Sequence, residues 1–207
     1  MDKVSIHTKK EEKMLKSLLS ILVVHFVMIT PPLFGQELTK EDAMSSAQES
    51  KLYTPQPEHA LLKRFAGEWQ FERKSASDDG STLQKVGSGE MKAELLGGFF
   101  VVCRWSGDFY ETAFDAVQTL GYGVDQEEYS GFWIDSIMSY QWQLSGSFEA
   151  NGNELVIAAS GPSPTGGTTK FRERYRFNST DSITVVAEML QDEKWITFMT
   201  TELTRKK

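Results

Sequence analysis

The sequence predicts an all-β fold, a single antiparallel up-and-down barrel of about ten strands with one short helix in front of it. Two observations carry this. From residue 68 onward apolar and polar residues alternate through ten segments, and no stretch of helical periodicity separates them. Ten short antiparallel strands in about 140 residues argue a closed barrel or a sandwich. The scarcity of edge-protecting prolines favours closure, which removes exposed edges altogether.

The elements follow in order. The first 35 residues carry a charged stretch, Lys9 to Lys16, then an apolar run, Leu18 to Ile29, then Pro31-Pro32 and a small residue, Gly35. This is the layout of an export signal with cleavage near Gly35/Gln36, and the apolar run is too short for a membrane anchor. Met1 and Met14 both remain as initiators. Residues 36–57 read as a polar flexible spacer and residues 58–207 as the barrel domain. The expected address is therefore exported, periplasmic or secreted, with no stable membrane anchor after cleavage. Glu58 to Phe65 follows Pro57 and spaces Ala60, Leu61, Leu62 and Phe65 as a helix does, and Gly67 ends it. Strands are expected at about 68–74, 83–95, 98–106, 111–123, 128–136, 137–147, 153–160, 169–177, 183–190 and 195–204. Turn residues fall between most of them, among them Asp78-Asp79-Gly80, Gly97-Gly98 and Asn151-Gly152-Asn153.

Composition excludes several chemistries. With 22 Lys and Arg against 29 Asp and Glu the net charge is −7, and a chain beginning at Gln36 carries about −9. Such a protein has no general basic field for nucleic acid, so none is expected as a partner. Cys103 is the single cysteine, which rules out an intrachain disulfide and a thiolate metal cluster. In the run Phe99 to Trp105 it reads as a buried, inert thiol. His59 is the only histidine beyond the export segment, and it reads as a capping or packing residue. Neither a metal nor a cofactor is expected.

The hairpin around residue 180 shows which face points in. Lys170, Arg172, Arg174 and Arg176 share one face of their strand; Phe171, Glu173, Tyr175 and Phe177 share the other. A five-residue loop, 178–182, pairs Phe177 with Ile183, Tyr175 with Val185, Glu173 with Ala187 and Phe171 with Met189. That register makes one continuous apolar face and sets Arg172 opposite Glu188, so the arginines point outward and Glu173 points inward. An inward carboxylate needs a partner, a proton or a ligand. Asp135 and Trp133 share parity in one strand, Arg104 offers a further polar group in another, and Met138, Tyr140, Trp142 and Leu144 are expected to line one face of the next.

His59, Leu62, Phe65-Ala66-Gly67-Glu68-Trp69, Leu96-Gly97-Gly98, Phe114-Asp115, Leu120-Gly121-Tyr122, Tyr129 and Trp133-Ile134-Asp135-Ser136 resemble, in this order, the bacterial domain-of-unknown-function family 1579. The resemblance spans about residues 58–205 and implies a calycin-like barrel, related in architecture to lipocalins. In lipocalins a Gly-x-Trp on the first strand closes one end beside a basic residue near the C-terminus, which implies a pair of Trp69 with Arg205. Nitrobindin-type haem barrels use a histidine late in the chain, and no histidine follows His59. The resemblance speaks for fold rather than activity.

Three readings of function follow. A binding module would hold a small hydrophobic or amphipathic ligand among Trp69, Tyr122, Trp133, Tyr140, Trp142 and Tyr175, with Asp135, Glu173 and Arg104 orienting its polar end. A metal-independent enzyme would use Asp135 and Glu173 as an acid and base pair. A barrel filled by its own side chains would act through its surface.

Overall fold

The computed structural model describes residues 50–77, 82–164 and 166–207. The residues expected to form an export signal (1–35), the expected spacer up to residue 49 and the turn expected at Asp78-Asp79-Gly80 lie outside the described residues. A 3-10 helix, Pro57–Arg64, precedes β1 (Gly67–Ala76), β2 (Leu83–Leu96), β3 (Phe100–Phe109), β4 (Thr112–Gly123) and β5 (Glu128–Asp135). β6 (Trp142–Phe148), β7 (Glu154–Pro162), β8 (Thr168–Ser179), β9 (Ser182–Gln191) and β10 (Lys194–Arg205) complete the chain. Each strand pairs antiparallel with its sequence neighbours, and β10 returns to β1, so the sheet closes as an up-and-down barrel.

The expected alternation decides which side chains fill it. Trp69, Phe71 and Arg73 of β1 are buried, as are Met91 and Ala93 of β2, Val101, Cys103 and Trp105 of β3, and Tyr175 and Phe177 of β8. Across β8 and β9 the pairs are Phe171↔Met189, Arg172↔Glu188, Glu173↔Ala187, Tyr175↔Val185 and Phe177↔Ile183, the register the apolar face demands. The arginines of β8 therefore stand outside, where Arg172 pairs with Glu188 at 2.5 Å and both Arg174 and Arg176 pair with Glu154. Burial works against ionising Glu154, but Arg176 and Arg174 outweigh it and hold its carboxyl below the usual carboxylate range.

One strand differs from expectation. β6 begins at Trp142, not near residue 137, because Asp135 turns the chain out of the sheet. Its Oδ1 accepts the backbone N–H groups of Ile137 (3.0 Å) and Met138 (2.8 Å), an Asx-type turn that competes with strand pairing. Met138 and Tyr140 thus belong to a loop, and the four-residue wall expected there shrinks to Trp142 and Leu144.

The two ends of the barrel are built differently. At one end the helix is laid across the opening, and Leu62 and Phe65 are buried beneath it with Trp69, Leu155, Ile183 and Leu203. His59, 4 % exposed, packs edge-on against Phe99 and Tyr122, and its Nδ1 accepts the N–H of Gln56. Tyr129 donates to the carbonyl of Glu58 (2.7 Å), tying helix to wall. Arg205 lies with its guanidinium 4.0 Å from the centre of the Trp69 ring and donates to the carbonyls of Ala66, Arg64 and Thr180. Gly67 makes this approach possible: its φ of 124° is a glycine conformation, and a Cβ there would meet the Arg205 guanidinium. Cys103 is fully buried, and burial pushes its thiol up to about 12, so it is an inert core residue.

Candidate functional site

The other half of the barrel is hollow. A cavity of about 320 Å³ lies between the strands at the end away from the helix. Its walls are mainly aromatic and aliphatic: Trp105, Phe114, Trp133, Trp142, Leu144, Ile157 and Phe171 all line it. Trp105 packs against Phe71 and Trp133, and Trp133 lies nearly parallel to Phe114, so these rings form one connected surface. Ile137 and Met138 of the loop after β5 reach the cavity and remain 45 % exposed at its mouth. A larger groove, about 520 Å³, lies on the outer surface between Glu68, Lys92, Arg104 and Lys206. It is a water-facing strip where Lys206 already pairs with Glu90 at 2.7 Å, so the mainly apolar cavity inside the barrel is the better ligand site.

Within the cavity a polar chain crosses the barrel. Gln118 of β4 donates from Nε2 to Tyr175 Oη (2.8 Å), and Tyr175 donates to Glu173 Oε2 (2.5 Å). Burial is the main force raising the Glu173 carboxyl above its ordinary value; the Tyr175 hydrogen bond and the Arg73 charge oppose it without prevailing. Tyr175 is pushed well above the usual phenol value, first by burial and then by the neighbouring carboxyl.

This has a consequence for stability. The folded chain keeps a proton on Glu173 at pH values where the unfolded chain has lost it, so stability falls as pH rises from about 4.3 through the raised folded value. Glu173→Gln keeps an acceptor for Tyr175 and removes this titration. Its unfolding free energy is expected to lose that downward slope, by about 1.4 kcal/mol for each unit by which the pKa was raised. Urea unfolding of both proteins at a series of pH values reads this directly, and an unchanged slope in the variant would refute it.

Arg73 faces the same space. It is 6 % exposed, and its guanidinium lies 4.5 Å from the centre of Phe114 and 4.9 Å from that of Phe71, with Trp105, Phe109 and Trp133 within 6 Å. Burial lowers its pKa while Glu173, Tyr175 and Asp135 raise it from a distance; an arginine nonetheless stays charged. A bulge in the β1–β2 pairing falls directly after it, between Arg73 and Lys74, and re-aims the strand at this point.

Of the residues singled out in the sequence, Trp133, Asp135, Trp142, Glu173 and Tyr175 line the cavity. Three do not. Arg104 is exposed on the outer face, because Ala93↔Cys103 and Met91↔Trp105 pairing turns the odd-numbered residues of β3 inward. Tyr122 lies at the closed end against His59 and Tyr129. Tyr140 sits in the loop before β6, with its hydroxyl on the carbonyl of Ser160 and its ring against Trp142. Trp69 belongs to the filled end, in contact with Arg205. Asp135 reaches the cavity, yet its oxygens are already taken by Trp133 Nε1 (2.9 Å) and by the loop backbone, which leaves it no freedom as an acid or base. The cavity also holds Arg73 and Gln118, which the sequence does not single out. Arg73 shares parity with Trp69 and Phe71, a signal that was present but masked by the charged neighbours Glu72 and Lys74.

One solved structure supports the architecture. A crystal structure of Rv2717c from M. tuberculosis superposes with a TM-score of 0.54 at 12 % identity, covering 74 % of this chain and 100 % of that one. An S-type phycobiliprotein lyase, CPES from Guillardia theta, is more distant at a TM-score of 0.47 and 14 % identity, covering 74 % of this chain and 99 % of its own. No curated protein matches the sequence. Residues 54–205, the helix and all ten strands, match the family described as a protein of unknown function, DUF1579, and the chain belongs to that family.

Proposed function

We propose that the protein is an exported binding protein that holds a small apolar or amphipathic molecule in the open half of its barrel. The observation that carries this is the cavity of about 320 Å³ walled by Trp105, Phe114, Trp133 and Trp142, at the lower end of the size range of ligand sites. A barrel that served only as a scaffold would gain stability by filling that space with side chains, as its other end does. The apolar rim at Ile137 and Met138 offers an entering molecule a surface of its own kind. The basic, apolar and proline-terminated run before Gln36 supports the exported address.

Expression of the full chain in a Gram-negative host, with mass spectrometry of the purified protein before and after denaturation, tests both parts. The polypeptide is expected to begin near Gln36 and to release one small molecule in near-stoichiometric amount. A polypeptide that keeps the residues before Gln36 would overturn export. A protein that releases nothing, and that also fails to bind the neutral apolar dye N-phenyl-1-naphthylamine, would overturn the binding reading.

A further inference from the structure

The side chain that the fold leaves unanswered is Arg73. Buried cations in folded proteins are normally paired or hydrogen-bonded, because removing a charge from water costs more than a domain can easily tolerate. Arg73 is 94 % buried by exposure, yet no hydrogen bond or ion pair to it occurs among the described residues, and its Nε–H has no acceptor. The aromatic rings around it stabilise the cation through their faces but accept none of its five N–H groups in the way an oxygen does. The carboxylates nearest in charge terms are engaged elsewhere: Asp135 with Trp133 and the loop backbone, Glu173 with Tyr175.

A second orphan lies beside it. Trp105, whose ring is 5.4 Å from the Arg73 guanidinium, has a buried Nε1–H with no partner among the described residues, although a buried indole usually finds one. Two donors without partners among the described residues, one of them cationic, therefore line one cavity whose other walls are mainly apolar; its further polar groups include Asp135, Glu173, Tyr175, Thr201 and Gln118, whose Oε1 is a buried acceptor likewise without a partner. What satisfies such donors is an oxyanion; a neutral alcohol offers one weak acceptor and no charge, and a cation is repelled. We propose that the cavity takes an organic oxyanion with an apolar tail, its head held by Arg73 and Trp105 and its tail lying along Phe114, Trp133, Trp142 and Phe171. The proposal rests on the binding reading above and specifies its ligand class. The volume, about 320 Å³, admits a molecule of about ten water-sized groups at roughly 30 Å³ each, such as a medium-chain acid.

The test uses lipid-stripped protein with N-phenyl-1-naphthylamine bound in the cavity, displaced near neutral pH by decanoate, decyl sulfate or decanol. One or both anions are expected to displace the dye at concentrations lower than decanol by a factor of about ten or more, the worth of a charged hydrogen bond. Whichever anion is the better competitor identifies a carboxylate or a sulfate-like head. Arg73→Met keeps the length and apolar stem of the side chain, and it is expected to bind the neutral dye within about twofold of the parent while losing the preference for anions. Arg73→Lys is expected to keep part of that preference, and intrinsic tryptophan fluorescence reports whether both variants are folded. Equal displacement by decanol and the anions in the parent protein, or a preference that survives in Arg73→Met, overturns the oxyanion assignment while the cavity reading stands. A parent protein that neither takes up the dye nor releases a small molecule on denaturation overturns both.

Discussion

Trp69→Ala is expected to lower the unfolding free energy by about 3–5 kcal/mol, the largest loss from any single truncation of the barrel's closed end. Trp69 is fully buried, donates from Nε1 to the carbonyl of Phe65 (2.7 Å) and carries the Arg205 guanidinium on its ring. Its removal leaves a cavity at the base of the barrel, an unpaired carbonyl in the turn after the helix and an arginine without its aromatic seat. The surrounding strands cannot collapse into the gap, because β1 is held in register by β2 and β10 on both sides. Trp142→Ala provides the contrast. Trp142 is half-buried and already borders empty space, so its truncation is expected to cost about half as much or less. Urea unfolding with unchanged m-values measures both. A loss under about 1 kcal/mol for Trp69→Ala would show that the Trp–Arg closure does not hold this end of the barrel together.

Arg73→Met is expected to move stability the other way, raising it by on the order of 1–3 kcal/mol in the empty protein. The variant loses the ring contacts of the cation, about 2 kcal/mol for a desolvated pair. It is relieved of the larger cost of burying a charge without a counterion, several kcal/mol for an ion that nothing pairs. No salt-bridged partner is stranded by the exchange, since no ion pair to Arg73 occurs among the described residues, although Glu173 loses a nearby charge that favours its ionised form. Thermal or urea unfolding of lipid-stripped protein reads the sign. A destabilisation of more than about 1 kcal/mol would mean that the aromatic cage, and not a ligand, is the true partner of Arg73. A gain in stability bought at the cost of anion preference is the behaviour of a residue retained for binding.

Much of the barrel was legible residue by residue. All ten strands announce themselves by alternation because a strand with one face in water and one in the core must alternate. The β8–β9 register was legible for the same reason: only one pairing places Phe171, Tyr175, Phe177, Ile183 and Val185 on a single face, and that pairing carries Glu173 inward. Where both faces are apolar the argument loses its footing. The run Phe99 to Cys103 has no polar residue to mark the outside, so nothing in it assigns Arg104 to a face, and only the pairing with β2 decides the parity. In the sequence after Asp135 the chain looks like a strand, but the carboxylate of that one residue captures two backbone donors and turns the segment into a loop.

By itself the sequence determined the antiparallel meander, the inward carboxyl of Glu173, the outward arginines of β8 and an unreactive Cys103. All of these are consequences of short-range alternation or of the absence of partners along the chain. Only the tertiary structure decided that one half of the barrel is packed and the other hollow, and that a buried guanidinium stands in the hollow half with no hydrogen-bonded or ion-paired partner among the described residues. The physical reason is the range of the interaction. A cavity is the volume left when side chains from ten strands have met, and no one strand records it. Arg73 and Glu173 are a hundred residues apart in the chain, and whether their charges touch or are held apart depends on the curvature and stagger of the closed sheet between them.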